Sequence, residues 1–292
     1  MKKNFDLNIL QGLLFAMLWA SASVAGKFGL HSVEPLMLFN IRFLLAGVLM
    51  LAVVYAFQRN RLPKGKEWIQ LTVFGAFNTA LYLGIFIIAL QYVAAGITTL
   101  AIALNPLFIS IMSAMWMRKR ITLTVWISIV LGSLGVVVAA YPLLQNSQAT
   151  IGGLLLLALS MLTYSFGSVY YAAVTWSLPR IVINAWQVFI AGFLIMPLTF
   201  FMHEKENNFD ATFWLSQAWL IIMVSVFAVQ LWLRLLKTDA VRASLWLYLC
   251  PIFGFLFSTI FLNEPFTVYT ACGTVLVILA LYVGQRPAVG KQ

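Results

Sequence analysis

AAGITTLAIALNPLFISIMSAMWMRKRIT, residues 94–122, lies over DAVRASLWLYLCPIFGFLFSTIFLNEPFT, residues 239–267, without a gap. Ala95/Ala240, Leu100/Leu245, Leu104/Leu249, Pro106/Pro251, Phe108/Phe253, Ser113/Ser258 and Thr122/Thr267 coincide at a constant shift of 145 positions. The same shift aligns NIRFLLAGVL (40–49) with AWQVFIAGFL (185–194), and Ser23-Val24 with Ser168-Val169. One shift across the chain means two homologous halves, residues 1–145 and 146–292. In a membrane chain, such a duplication points toward transport, with the site between the repeats.

The bilayer follows from composition. The 292 residues are 63% hydrophobic and 9% charged, with a mean hydropathy of +0.97. Ten apolar runs of bilayer length succeed one another: about 8–29, 35–58, 68–90, 94–117, 121–141, 152–174, 181–202, 213–236, 240–262 and 266–284. The expected fold is an all-α polytopic membrane protein of ten transmembrane helices, five per half. The loops leave no room for a soluble catalytic domain. Because five is odd, the halves enter the membrane from opposite sides and form an inverted repeat. A binding site is then expected near the midplane.

Lys2-Lys3, the apolar run Ile9–Trp19 and Ala20-Ser21-Ala22 resemble a cleavable signal peptide. The 145-residue shift pairs this stretch with 153–174, so the expectation is that it stays as the first helix. Orientation comes from Lys and Arg. Fifteen of the 18 fall on the side holding both termini, among them Lys64, Lys66, Arg118, Lys119 and Arg120. Both termini are therefore expected in the cytoplasm, across a bacterial inner membrane. Topology explains the net charge of +10. Nucleic acid is excluded as a partner, because the basic residues are scattered over short loops rather than clustered. The expected partners are the lipid bilayer and a small-molecule substrate, with the chain a monomer or weak dimer.

All eight carboxylates (Asp6, Glu34, Glu67, Glu204, Glu206, Asp210, Asp239 and Glu264) lie in loops or at segment ends, and neither His31 nor His203 is deep. Proton-driven carriers relay through ionisable groups within the bilayer. The hypothesis is facilitated diffusion or exchange without a buried proton carrier. Strong accumulation driven by a pH gradient, surviving neutralisation of Glu34, Asp239 and Glu264, would contradict it. Membrane enzymes need clustered acids, metal ligands or an activated nucleophile, and the serines here lack such activators. Cys250 and Cys272 read as small packing residues. No cofactor, metal or catalytic residue is expected.

Arg42 lies about 10 Å into the second segment, where facing lipid is costly. It reads either as a contact for a substrate carboxylate or phosphate, or as a gating contact to backbone carbonyls, Glu34 or Glu264. Its repeat mate, Gln187, is neutral. Pro106 and Pro251 occupy equivalent mid-segment positions and free the carbonyls of Ile102 and Leu247. They read as hinges beside a cavity or as packing kinks, with Asn105 next to one of them. Asn78 and Tyr82 share a helix face. Trp19 and Tyr164 are repeat mates able to stack on an organic substrate. Ser23, Thr99, Trp186, Gln230, Trp246 and Tyr248 complete the candidate substrate contacts.

LLFAMLWASASVAGK at the start, IRFLLAG in segment two, AWQ…AG in segment seven and LNEPFT before segment ten resemble the drug/metabolite transporter superfamily. The likeness is to its EamA-type ten-helix bacterial members and spans nearly the whole chain. It implies an inner-membrane carrier of small metabolites, often an amino-acid exporter, working by alternating access. By the same likeness, segments 1, 3, 4, 6, 8 and 9 would line the cavity, with segments 2 and 7 as moving walls. One departure stands out. Family members often carry Gly-Glu in the turn after segment four, where this chain has Met117-Arg118-Lys119-Arg120. The favoured substrate is an amino acid, its carboxylate on Arg42. The alternative is an organic cation or aromatic drug on the Trp and Tyr faces, and a membrane enzyme or lipid scramblase is a remote third.

Overall fold

The computed structural model describes residues 2–93, 101–144, 149–262 and 266–285. Regular structure there is helical, apart from one isolated bridge between Val93 and Ala149. α1 (Lys2–Leu30) is followed by α2 (Pro35–Ala52), which widens into a π turn at Val53–Phe57. α3 (Lys66–Gly75) passes through a π turn at Ala76–Leu81 into α4 (Tyr82–Leu90). α5 (Leu104–Trp116), α6 (Leu123–Leu144), α7 (Ile151–Ala173) and α8 (Arg180–Phe201) follow. α9 (Ala211–Trp219) runs through a π turn at Leu220–Ala228 into α10 (Val229–Leu245), a 3-10 turn at Trp246–Tyr248 and α11 (Leu249–Leu262). The last described helix is α12 (Val268–Gln285).

Eight helical stretches among the described residues are long and apolar enough to cross a bilayer, and Leu104–Trp116 is a shorter apolar helix. Their outer faces carry large apolar side chains such as Phe57, Leu123 and Phe201, all strongly exposed. In water that surface would be untenable; against lipid it is the expected one.

Local chemistry sets the helix ends. Thr150 caps α7 by accepting the Gly153 N–H at 3.1 Å, and Asp210 caps α9 by accepting that of Phe213 at 2.8 Å. Pro35 sits in the first turn of α2, where a missing N–H costs nothing. At the end of α5, Arg118 takes a left-handed conformation (φ 51°), and the Lys119 N–H reaches back to Ser113 O at 3.4 Å. Glycine is the usual occupant of such a position.

The loop expected between segments eight and nine shrinks to one residue. Ala211–Phe261 forms a 51-residue stretch, broken at Asp239 (φ −162°, ψ 105°). The Asp239 carboxylate accepts the N–H groups of Val241 and Arg242, each at 3.1 Å, so a new helix starts at once. The same carboxylate pairs with Lys119 at 2.7 Å.

The most extensive helix contacts among the described residues join α6 to α12 and α2 to α8. Both depend on glycine. A Cβ at Gly47 would lie 2.6 Å from that of Phe189, and one at Gly192 would lie 2.9 Å from Leu44 Cδ2. The 145-residue shift carries Leu44 to Phe189 and Gly47 to Gly192, so it exchanges these two contacts. It does the same between α6 and α12. Ser128 donates to Ala280 O at 2.6 Å, and a Cβ at Gly135 would meet Gly273 O at 2.9 Å. The π turns at Ala76–Leu81 and Leu220–Ala228 also overlap under the shift.

Candidate functional site

Among the described residues, Arg42 is the only buried side chain carrying a full charge. It reaches from α2 to the π turn after α9, where its Nε donates to Ser225 Oγ at 2.9 Å. Its guanidinium also lies 5.5 Å from the Phe43 ring centre and 5.9 Å from that of Phe39. Of its two candidate acidic partners, Glu34 is engaged elsewhere and Glu264 lies outside the described residues. No acid among the described residues forms an ion pair with Arg42.

The polar chain continues through the molecule. Asn184 Nδ2 donates to Ser225 O at 2.8 Å. Gln187 Nε2 donates to Asn184 Oδ1 at 3.2 Å, and the Thr79 hydroxyl donates to Gln187 Oε1 at 2.9 Å. Arg42 and Gln187, 145 positions apart, thus each hold a hydroxyl from a π turn, one on each side of Asn184. A buried polar group without a partner is costly, and this chain of bonds removes that cost for its members.

Beside Arg42 lies an aromatic cluster. Arg42 and Tyr82 are close enough to interact electrostatically. Tyr82 packs on Tyr164 with ring centres 5.0 Å apart, and Tyr164 stacks with Trp232 at 6.2 Å and 16°. Phe15 stacks on Trp232 at 4.9 Å, and Trp19 joins Phe15 at 5.6 Å and Tyr164 at 6.3 Å. Tyr164 and Trp232 are 3% and 1% exposed, yet among the described residues the Tyr164 hydroxyl and the Trp232 indole N–H find no hydrogen-bond partner. Buried orphans of this kind are rare.

The structure brings Trp19, Arg42, Tyr82 and Tyr164 together. Asn78 lies one helical turn before Tyr82, packed against Gly167, with its Oδ1 3.5 Å from the Ser168 hydroxyl. Asn105 also reaches α7: its Oδ1 accepts from Ser165 at 3.0 Å and its Nδ2 approaches Met161 Sδ at 3.3 Å. Ser23 is exposed on α1 and bonds its own helix at Ala20 O. The other candidates lie apart. The Trp186 Nε1 donates to Tyr55, and Gln230 bonds the Arg180 carbonyl. Trp246 lies against Gly12 and lines a cavity of about 220 Å³ with Asp239 and Arg242. The Tyr248 hydroxyl donates to Ile129 O at 3.0 Å and contacts Ser133, which turns it toward α6. Thr99 lies outside the described residues.

Both prolines sit early in their helices, Pro106 in α5 and Pro251 in α11. The Ile102 carbonyl that Pro106 frees accepts the Asn105 N–H at 3.1 Å. That of Leu247 is reached by the Leu249 N–H. Tight turns thus serve both carbonyls, without any need for a wet cavity.

A second cavity, of about 370 Å³, opens where His31, Glu34 and Glu204 meet. There Glu34 bonds His203 at 2.6 Å and the N–H groups of Glu204 and Lys205 at 2.8 and 2.9 Å. Burial pushes the Glu34 carboxyl up, but these bonds outweigh it and bring it from 4.5 to about 2. Another strap joins Arg61 and Glu67 to Ser177. No group of three or more metal-binding side chains occurs among the described residues.

Asn184 and Trp232 were not singled out by sequence. The three-residue spacing of Asn184 and Gln187 was the available signal for the first. The repeat mate of Trp232 is Ile87, so duplication gave no hint of the second.

The sequence model of the EamA-like transporter family matches residues 7–141 and 151–283. An uncharacterized transporter of Archaeoglobus fulgidus is 27% identical over 271 residues, covering 92% of this chain and 95% of its own length. The uncharacterized transporter YoaV of Bacillus subtilis is 22% identical, covering 91% and 92%. The uncharacterized inner membrane transporter YedA of Escherichia coli is 26% identical, covering 85% and 81%. A solved crystal structure superposes with a TM-score of 0.82 at 20% identity, covering 95% of this chain and 97% of that one, a likeness of fold.

Proposed function

The chain belongs to the EamA-like transporter family, and from that premise we propose that it exports or exchanges an amino acid across a bacterial inner membrane. It is a multi-pass membrane transporter with a small-molecule substrate. The observation that carries the finer reading is Arg42. A buried guanidinium with no acidic partner among the described residues lies within electrostatic reach of Tyr82, whose ring packs into a cluster that holds two polar atoms, and among those residues neither atom has a partner. A zwitterion supplies what is missing: a carboxylate for Arg42 and a side chain for the Trp19, Tyr82, Tyr164 and Trp232 faces. The aromatic cluster alone would also suit an organic cation, but Arg42 opposes one electrostatically.

The architecture we propose is ten membrane helices in two inverted halves, with both termini cytoplasmic. The Asp239 break supports counting Ala211–Phe261 as two crossings. The exchanged contacts at Gly47 and Gly192, and at Ser128 and Gly135, support a two-fold relation. Such a relation gives alternating access its geometry.

Counterflow in proteoliposomes tests the function. Vesicles loaded with mixed unlabelled amino acids receive one labelled amino acid at a time, with no ion gradient. Protein-dependent transient accumulation is the expected result. Its absence for all twenty, with the protein folded, would overturn the amino-acid reading. Arg42→Gln should weaken a carboxylate substrate by about 1.5–3 kcal/mol, roughly 10- to 150-fold in affinity. Unchanged affinity with slower turnover would make Arg42 a gate instead.

A further inference from the structure

A guanidinium can receive a carboxylate along two edges. One uses Nε and a terminal nitrogen; the other uses the two terminal nitrogens. In Arg42 the first edge is occupied, because Nε is bonded to Ser225 Oγ. Ser225 is itself fixed: its carbonyl accepts from Asn184, and it lies within the π turn Leu220–Ala228. Among the described residues, no hydrogen bond or ion pair takes up the terminal nitrogens.

We propose that Ser225 is the positioning residue of the anion subsite: by holding Nε, it leaves the paired terminal nitrogens as the edge that receives the substrate's carboxylate. This rests on the reading that Arg42 binds that carboxylate. A free arginine side chain has many rotamers, and fixing it before the ligand arrives removes an entropic cost from binding. The subsite is built for one planar, singly negative group. The matching network around Gln187 and Thr79 repeats the geometry without the charge. A second anion therefore finds no equivalent host there.

The probes are the labelled amino acid that accumulates best in counterflow and its carboxamide, which lacks the charge. Ser225→Ala should raise the half-saturating concentration of the acid about ten-fold, with the maximal rate changing by less than about two-fold. The carboxamide should be unaffected, and Ser225→Thr should restore the acid's affinity. Thr79→Val, in the neutral network, should leave the acid-to-carboxamide ratio unchanged. The proposal falls if Ser225→Ala matches wild type, weakens both probes equally, or is matched in its effect on the ratio by Thr79→Val. If the wild type fails to prefer the acid, the Arg42 reading itself fails. A Ser225→Ala protein that does not fold leaves the threonine variant to decide: loss of the acid preference with hydroxyl retained also overturns the proposal.

Discussion

Gly47→Ala and Gly192→Ala place the same methyl group at repeat-related positions of one helix interface, and they should not cost the same. At Gly47 the new carbon would lie 2.6 Å from Phe189 Cβ and 2.7 Å from its Cα. Carbon atoms prefer roughly 3.5–4.0 Å, so α2 and α8 must part by about 1 Å. At Gly192 the nearest atoms are Leu44 Cδ2 and Cγ, at 2.9 and 3.0 Å, side-chain atoms that can give, with the Leu44 backbone N farther off at 3.1 Å. Overpacking costs about 1–3 kcal/mol, while replacing a mid-helix glycine by alanine recovers about 1 kcal/mol. The clash at Gly47 is with backbone, so its cost belongs at the upper end of that range, and Gly47→Ala should destabilise by about 1–2 kcal/mol. Gly192→Ala should stay within about 1 kcal/mol of wild type. Unfolding of each variant in mixed micelles, followed by tryptophan fluorescence, measures the difference. A Gly47→Ala protein as stable as Gly192→Ala would refute the backbone contact on which this rests.

Tyr164→Phe removes a buried hydroxyl that has no partner among the described residues, so the fold should gain about 1–3 kcal/mol while substrate affinity falls; unfolding and counterflow on one preparation read both. Arg118→Gly relieves a left-handed residue and should stabilise by about 1 kcal/mol in the same unfolding assay. Glu34 titrates at about 2 in the folded chain against an ordinary 4.5. Its contribution is therefore complete above pH 4.5 and is lost as pH falls from 4.5 toward 2. Proteolysis of the 202–210 loop should accelerate across that window, and Glu34→Gln should abolish the change.

The all-helical, membrane-spanning character was legible because hydropathy needs no knowledge of packing. Arg42 stood out for the same reason: a full charge within an apolar run is visible without coordinates. What escaped depended on which way a side chain turns. Tyr248 and Trp246 look like cavity residues in sequence. The 3-10 turn at Trp246–Tyr248 winds three residues per turn rather than 3.6 and leaves them facing Ile129 and Gly12. The π turns shift phase the other way and deliver Ser225 and Thr79 to their partners. Neither turn has a residue signature in this chain. Pro106 and Pro251 did mark breaks, but adjoining tight turns answer the carbonyls they free. Asp239 looked like a loop residue, and its carboxylate let the next helix begin at once.

The α2–α8 contact bears on how the molecule could change shape. Gly47 and Gly192 set the two helices at close approach, while Glu34–His203 ties the segments beyond one end and Glu67, in the first turn of α3, ties to Ser177 beyond the other. A contact gripped at its middle and at both ends behaves as a common strut, not as two doors. Displacement would then fall to parts that hang from it less tightly, such as α5 and α11, which carry Pro106 and Pro251. On that reading α2 and α8 would be the keel, and the helices around them the rigging.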